Sequence, residues 1–211
     1  SSSTSSSSMS MSSEEEVMDA ELLAWAEKNK CALFQENVRV GESADGLRGL
    51  YATKFIPRGG LIFSVPRTSV IACETVGTLR EEIEYKTGPI NDVEFMLVYL
   101  ALELEKGEES EWSAYIKSLP TVSDFHLHPL MFSQQPEYWT VIQGTNVAWK
   151  LVGALQSIDA LYHRISPYIR LKKRDLLWAY LVLTTRSISK PQDSPSSPSP
   201  SSPSSSSSSS S

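Results

Sequence analysis

The sequence predicts an α+β domain, and three observations predict it. A helical hydrophobic period opens the ordinary-composition part of the chain, a series of short β-rich segments punctuated by glycine and proline follows, and from residue 93 onward the period is helical. Strand-like and helix-like segments are therefore segregated along the chain instead of alternating, which argues against βαβ units and a parallel sheet. No internal repeat at a fixed period is visible.

Taken in order, Ser13 and Glu16 have the spacing of a capping box, and Met18, Leu22, Trp25 and Ala26 then recur on one face, which predicts an amphipathic helix over 14–29. Between Asn37 and Ile71 the period shortens. Val38 and Val40 alternate, Leu50 to Thr53 is short and apolar, Leu61 to Val65 is β-rich, and Val70 and Ile71 follow. Gly41, Gly46, Gly49, Pro57, Gly59, Gly60 and Pro66 separate these runs, so a meander of short antiparallel strands is expected. After Asp92, the residues Val93, Met96, Leu97, Leu100, Ala101 and Leu104 share one helical face as far as Lys106. A short helical turn at 112–116 ends before Leu119 and Pro120, and a loop holding His126 and His128 leads to helical stretches near 136–143, 146–165 and 174–188, the last two divided by Pro167.

Composition bounds the rest. Residues 1–13 and 191–211 are dominated by serine, with proline in the second, and such segments bury too little apolar surface to offset chain entropy; disorder is expected at both ends. The intervening stretch suits one domain, divided as 14–92 and 93–190 where the period changes. A net charge of -6 argues against binding nucleic acid through phosphate contacts, and the basic residues at 170–174 read as a solvated helix start. The longest apolar run, Phe95 to Leu102, is far below the roughly 18 residues of a membrane span, so no membrane partner is expected. The two cysteines, Cys31 and Cys73, lie far apart without further thiols, which argues against a disulfide framework or a zinc site and fits a reducing compartment. No secretory h-region or arginine-rich transit pattern is present, so a cytoplasmic or nuclear setting is expected, with an organelle left open.

Segment 45–66, DGLRGLYATKFIPRGGLIFSVP, has a physical reading of its own: a glycine turn between two strands, a second turn at Pro57 to Gly60, and a third strand closed by Pro66. No helix follows the first turn, which excludes dinucleotide and Walker-type phosphate loops. Two hairpin turns in a small sheet account for the pattern. The same segment resembles the opening signature of the SET-domain methyltransferases, in the branch that holds the Rubisco large-subunit lysine methyltransferases and the actin-histidine methyltransferase. SEWSAYIKSLP at 110–120, PEYWTVIQGTNVAWKL at 136–151 and DLLWAYLVLTTRSIS at 175–189 are similar to three further segments of that branch, in the same order.

The resemblance implies an incomplete SET core with a mostly helical insert, and a protein N-methyltransferase that uses S-adenosyl-L-methionine on a protein substrate, with lysine ahead of histidine as acceptor. It implies a cofactor pocket built partly from the backbone of Gly46, Leu47 and Arg48, with Gly49 allowing the turn, and with Arg186 reaching the methionine carboxylate through its planar fork. A surface or interhelix ion pair is the alternative for Arg186. The sheet bend near residue 46 and the guanidinium at 186 are accordingly expected to face one hollow. The family's chain continues into an Asn-His pair and a channel tyrosine. Lys190 runs instead into proline and serine, so the chain is expected to be truncated and inactive as given, and no catalytic residue is assigned.

His126 and His128 have no acidic or thiol companions, so a solvated or capping role is expected and no metal is assigned. The acidic runs at 14–16 and 108–111 read as a helix start and a solvated loop. Trp139, Trp149, Tyr162 and Trp178 fall in helical patterns, for which core packing is the expectation, with lining of a substrate channel the alternative for those near Arg186. The competing reading of the whole is a non-catalytic fragment or interaction module that binds a protein partner through the helices at 146–188.

Overall fold

The computed structural model describes residues 13–32, 34–43, 48–76, 78–134 and 136–188. Helix α4 (Asp92–Lys106) lies at the centre, and every residue from 95 to 101 is buried, so this helix is covered all round and not on one stripe. Its start is fixed by a capping box: Asn91 Oδ1 accepts from the Glu94 backbone N–H at 2.9 Å, and Glu94 Oε2 accepts from the Asn91 backbone N–H at 3.1 Å. It ends at Gly107, whose φ of 55° falls in the region that favours glycine.

Two long helices cover α4. Helix α8 (Lys173–Arg186) packs along it and buries Leu176, Trp178, Ala179, Leu181 and Val182. Helix α7 (Asn146–Ile165) packs on α8 and turns Leu151, Ile158, Leu161 and Ile165 inward at helical spacing. Thr145 caps α7 by accepting from the Ala148 N–H at 3.3 Å, and Arg164 near its end reaches Glu94 at 2.9 Å, so the C-terminus of α7 is tied to the start of α4. The short α6 (Pro136–Ile142) precedes α7. These helices occupy the stretches expected from the 3.6-residue period, as does α1 (Ser13–Lys28).

The sheet is smaller than expected. Strands β1 (Val38–Glu42) and β2 (Arg48–Ala52) form an antiparallel hairpin with Val38 opposite Ala52 and Gly41 opposite Gly49, after a single helical turn, α2 (Phe34–Asn37). The expected third and fourth strands do not form. Ser64 makes only an isolated bridge with Ala32, exchanging two hydrogen bonds of 2.9 Å, and Val70 and Ile71 lie outside any strand. The physical reason lies in Asn37, which is buried and whose side-chain amide donates to the carbonyls of Leu61 at 3.0 Å and Ile62 at 2.8 Å. A side chain thus takes the acceptors that a strand partner would have used.

Helix α3 (Thr78–Thr87) was not expected from periodicity, because Ile83 is its one fully buried apolar residue, Leu79 is half-buried and Tyr85 is exposed among charged neighbours. It is held by the i,i+4 pairs Arg80–Glu84 at 3.0 Å and Lys86–Glu82 at 2.6 Å, and by Arg80 reaching Asp92 and the Ile90 carbonyl at 2.5 Å each. Among the described residues no helix is long and apolar enough to cross a membrane.

Candidate functional site

The short helix α5 (Ser113–Lys117) is where the two halves of the chain meet. A buried polar chain sets its position. Glu103 on α4 accepts from Ser110 Oγ at 2.6 Å and pairs with Lys106 at 2.5 Å; Ser110 Oγ in turn accepts from the Trp112 N–H at 3.0 Å, and Trp112 Nε1 donates to the Tyr99 hydroxyl at 2.9 Å. Burial pushes the Tyr99 hydroxyl up to about 12, with the Glu103 charge adding to the effect and the indole donor opposing it.

Helix α1 docks on the other side of α5. Trp25 packs on Trp112 with ring centroids 5.6 Å apart and stacks on Tyr115 at 6.3 Å, and its indole N–H donates to the Glu111 carbonyl at 2.9 Å. Lys117 bridges Glu21 of α1 at 3.0 Å and Glu108 at 2.8 Å.

Of the residues expected at a cofactor site, Arg48 contacts the end of this helix and the charge of Arg186 acts on it. Arg48 opens β2 and sends its guanidinium between α1 and α5, pairing with Asp19 and donating to the Ser118 carbonyl at 2.9 Å. Arg186, in the last turn of α8, acts electrostatically on the Tyr115 hydroxyl: burial raises the pKa of that hydroxyl, and the Arg186 charge opposes the rise. Tyr115 lies within α5 and Ser118 directly follows it, so the Arg48 contact and the hydroxyl on which the Arg186 charge acts belong to one short segment. Arg186 is exposed, and among the described residues it makes no ion pair and no side-chain hydrogen bond. The interhelix ion pair weighed for it from sequence is absent there.

Gly49 lies within β2 opposite Gly41, not in the turn, and its φ is not positive; a Cβ there would meet only Tyr51 Cε2 at 3.9 Å. Gly46 and Leu47 lie outside the described residues. Sequence reasoning missed Asp19, Trp25 as a site residue, and Tyr115. A signal for Asp19 was present, since it falls on the same helical face as Leu22 and Ala26, where an acid is out of place without a partner.

The remaining candidates separate. His128 caps a turn by accepting from the Leu130 N–H at 3.2 Å, and burial pushes its pKa below the ordinary value. Among the described residues no cluster of histidine, cysteine and acidic side chains is placed to hold a metal. Both cysteines are free and half-buried, and burial pushes both thiols up. Trp178 is a core residue, but Trp149 is 73% exposed, so the core packing expected of it is corrected: its position on α7 faces away from α8. A groove of about 1020 Å³ lies apart from Arg48, between the start of α4 and the middle of α7, lined by Asp92, Val93, Lys150, Ile158 and Tyr180 among others.

No protein-family profile matches the chain, and no protein of curated function matches its sequence. Among solved structures, the fold is similar to that of Rubisco LSMT bound to sinefungin and monomethyllysine, with a TM-score of 0.58 and 18% identity over 79% of this chain. The match covers 40% of that protein, so this chain spans well under half of its length. The likeness shows a shared α+β fold.

Proposed function

We propose that the chain is the N-terminal part of an S-adenosylmethionine-dependent protein N-methyltransferase of the SET type, acting on lysine, with histidine as the second choice of acceptor. The observation that carries this reading is Arg48 of β2 held at the end of α5 through the Ser118 carbonyl, with the Arg186 charge acting on Tyr115 of the same helix. The fold shared with Rubisco LSMT supports it, as does that protein's complex with sinefungin and monomethyllysine.

The residues present fit the amino-acid end of S-adenosylmethionine. Arg186 offers an exposed guanidinium whose fork is not spent on a described partner, which suits a carboxylate. Arg48 differs, because its guanidinium is committed to Asp19 and the Ser118 carbonyl; what it offers a ligand is main chain. When bound, the cofactor supplies a methyl group on a cationic sulfur, open to direct attack by a neutral amine. The part left to this chain is to hold the cofactor and keep water out, with the rate coming from alignment and desolvation.

Titration calorimetry with S-adenosylmethionine tests the reading, on this chain and on the chain extended by its continuing coding sequence. Binding by the extended chain that Arg186→Ala weakens supports it, and no binding by either chain overturns it. A second reading, a non-catalytic module that docks a protein partner through residues 146–188, has the exposed Trp149 in its favour. It predicts no cofactor heat with or without the extension.

A further inference from the structure

We propose that Asp19 is a positioning residue: through Arg48 it clasps the start of β2 to α5, and so sets the affinity of the adjoining site for S-adenosylmethionine. The affinity part rests on the function proposed above. Asp19 is only 9% exposed, and a carboxylate this far out of water needs a cationic or hydrogen-bonding partner. Its described partner is Arg48, the first residue of β2, and the other arm of that guanidinium holds the Ser118 carbonyl at 2.9 Å. One side chain therefore joins three elements, α1, β2 and α5.

Asp19 is not what docks α1. That helix is independently fixed to the α5 region by Trp25 packing on Trp112 and Tyr115, by the Trp25 indole bond to the Glu111 carbonyl, and by the Glu21–Lys117 pair at 3.0 Å. Loss of the Asp19 charge should leave α1 in place and release Arg48, so the part loosened would be the start of β2. An ordinary hairpin of two five-residue strands has little stability of its own, which makes such a clasp consequential.

The test is hydrogen exchange of the full chain, read over residues 38–52, in wild type, Asp19→Asn, Arg48→Met and the double variant, together with S-adenosylmethionine affinity of the extended chain. Asp19→Asn keeps the shape of the side chain and removes its charge. Each single variant is expected to speed exchange in the hairpin by roughly tenfold and to weaken cofactor binding by a similar factor, with the double variant no worse than either. Exchange in α4 and α8 should stay at the wild-type rate. Unchanged hairpin exchange in Asp19→Asn, or effects of the two substitutions that multiply, would overturn the clasp. If wild type binds no cofactor while the hairpin still loosens in both variants, the methyltransferase reading and the affinity role fail and the clasp stands.

Discussion

The indole nitrogen of Trp112 donates to the Tyr99 hydroxyl at 2.9 Å inside the core, joining the loop before α5 to the central helix α4. Both residues are buried, and the Trp112 backbone N–H is held in turn by Ser110, whose hydroxyl donates to Glu103 on the same helix α4. Two buried polar attachments of this kind, one through each nitrogen of Trp112, favour one arrangement, because shifting the loop leaves a buried donor or acceptor unmatched. The position of α5 relative to α4, and with it that of Tyr115 and Ser118, follows from these attachments.

Tyr99 makes its attachment visible in the pH dependence of stability. Its hydroxyl titrates at about 12 in the folded chain and at about 10 when unfolded. Above pH 10 the unfolded chain loses this proton first, so the folded chain binds more protons and stability falls as pH rises, until both states are ionised above about pH 12. The full loss amounts to about 3 kcal/mol. Tyr115, also raised by burial, acts in the same direction. Urea unfolding from pH 9 to 12 should show a steeper decline for wild type than for Tyr99→Phe, which should itself be about 1–3 kcal/mol less stable at pH 7. Parallel curves would show that Tyr99 is not buried as described.

Arg186→Ala should separate ligand binding from folding. Because the side chain is exposed and has no described ion pair, the melting temperature should stay within about a degree of wild type. Affinity for S-adenosylmethionine, measured on the extended chain, should fall by about 10–100-fold, the range for losing a charge-assisted bidentate contact. A large drop in melting temperature would instead place Arg186 in a structural ion pair.

The helices were legible in the sequence because burial there follows a period. Met96, Leu97, Leu100 and Ala101 share a face and are buried as expected. What the period could not show was that the opposite face of α4, with Phe95, Val98 and Tyr99, is covered as well. Leu61 to Val65 misled for a related reason: β-rich composition gives strand propensity, but the Asn37 amide occupies the pairing groups of 61 and 62, a contact across some two dozen residues that no local pattern contains. At the site, Arg48 and Arg186 were picked out by resemblance, while Asp19 was legible only as an acid on an apolar face.

Asn37→Ala tests that account of the sheet. The substitution removes both donors at a position only 6% exposed and strands the carbonyls of Leu61 and Ile62. A loss of about 1–3 kcal/mol is expected in urea unfolding. Asn37→Asp should be no better, since a carboxylate cannot donate to either carbonyl and would face both. A stable Asp variant would mean that the 61–62 segment is held by something other than this side chain.

Trp149 and Trp178 lie in similar helical sequence, yet the structure gives them opposite environments. Trp178 is 4% exposed and donates to the Pro120 carbonyl at 2.9 Å, so Trp178→Ala should cost about 3–5 kcal/mol through lost packing and an unmatched carbonyl. Trp149→Ala should change stability by no more than about 0.5 kcal/mol, because its ring already stands in water. Fluorescence offers a check that does not depend on stability: acrylamide should quench the Trp149 contribution readily, and the Trp149→Ala variant should therefore show bluer and less quenchable emission than wild type. If Trp149→Ala were as destabilising as Trp178→Ala, α7 would have to be turned on its axis, and the inward face assigned to Leu151, Ile158, Leu161 and Ile165 would be wrong with it.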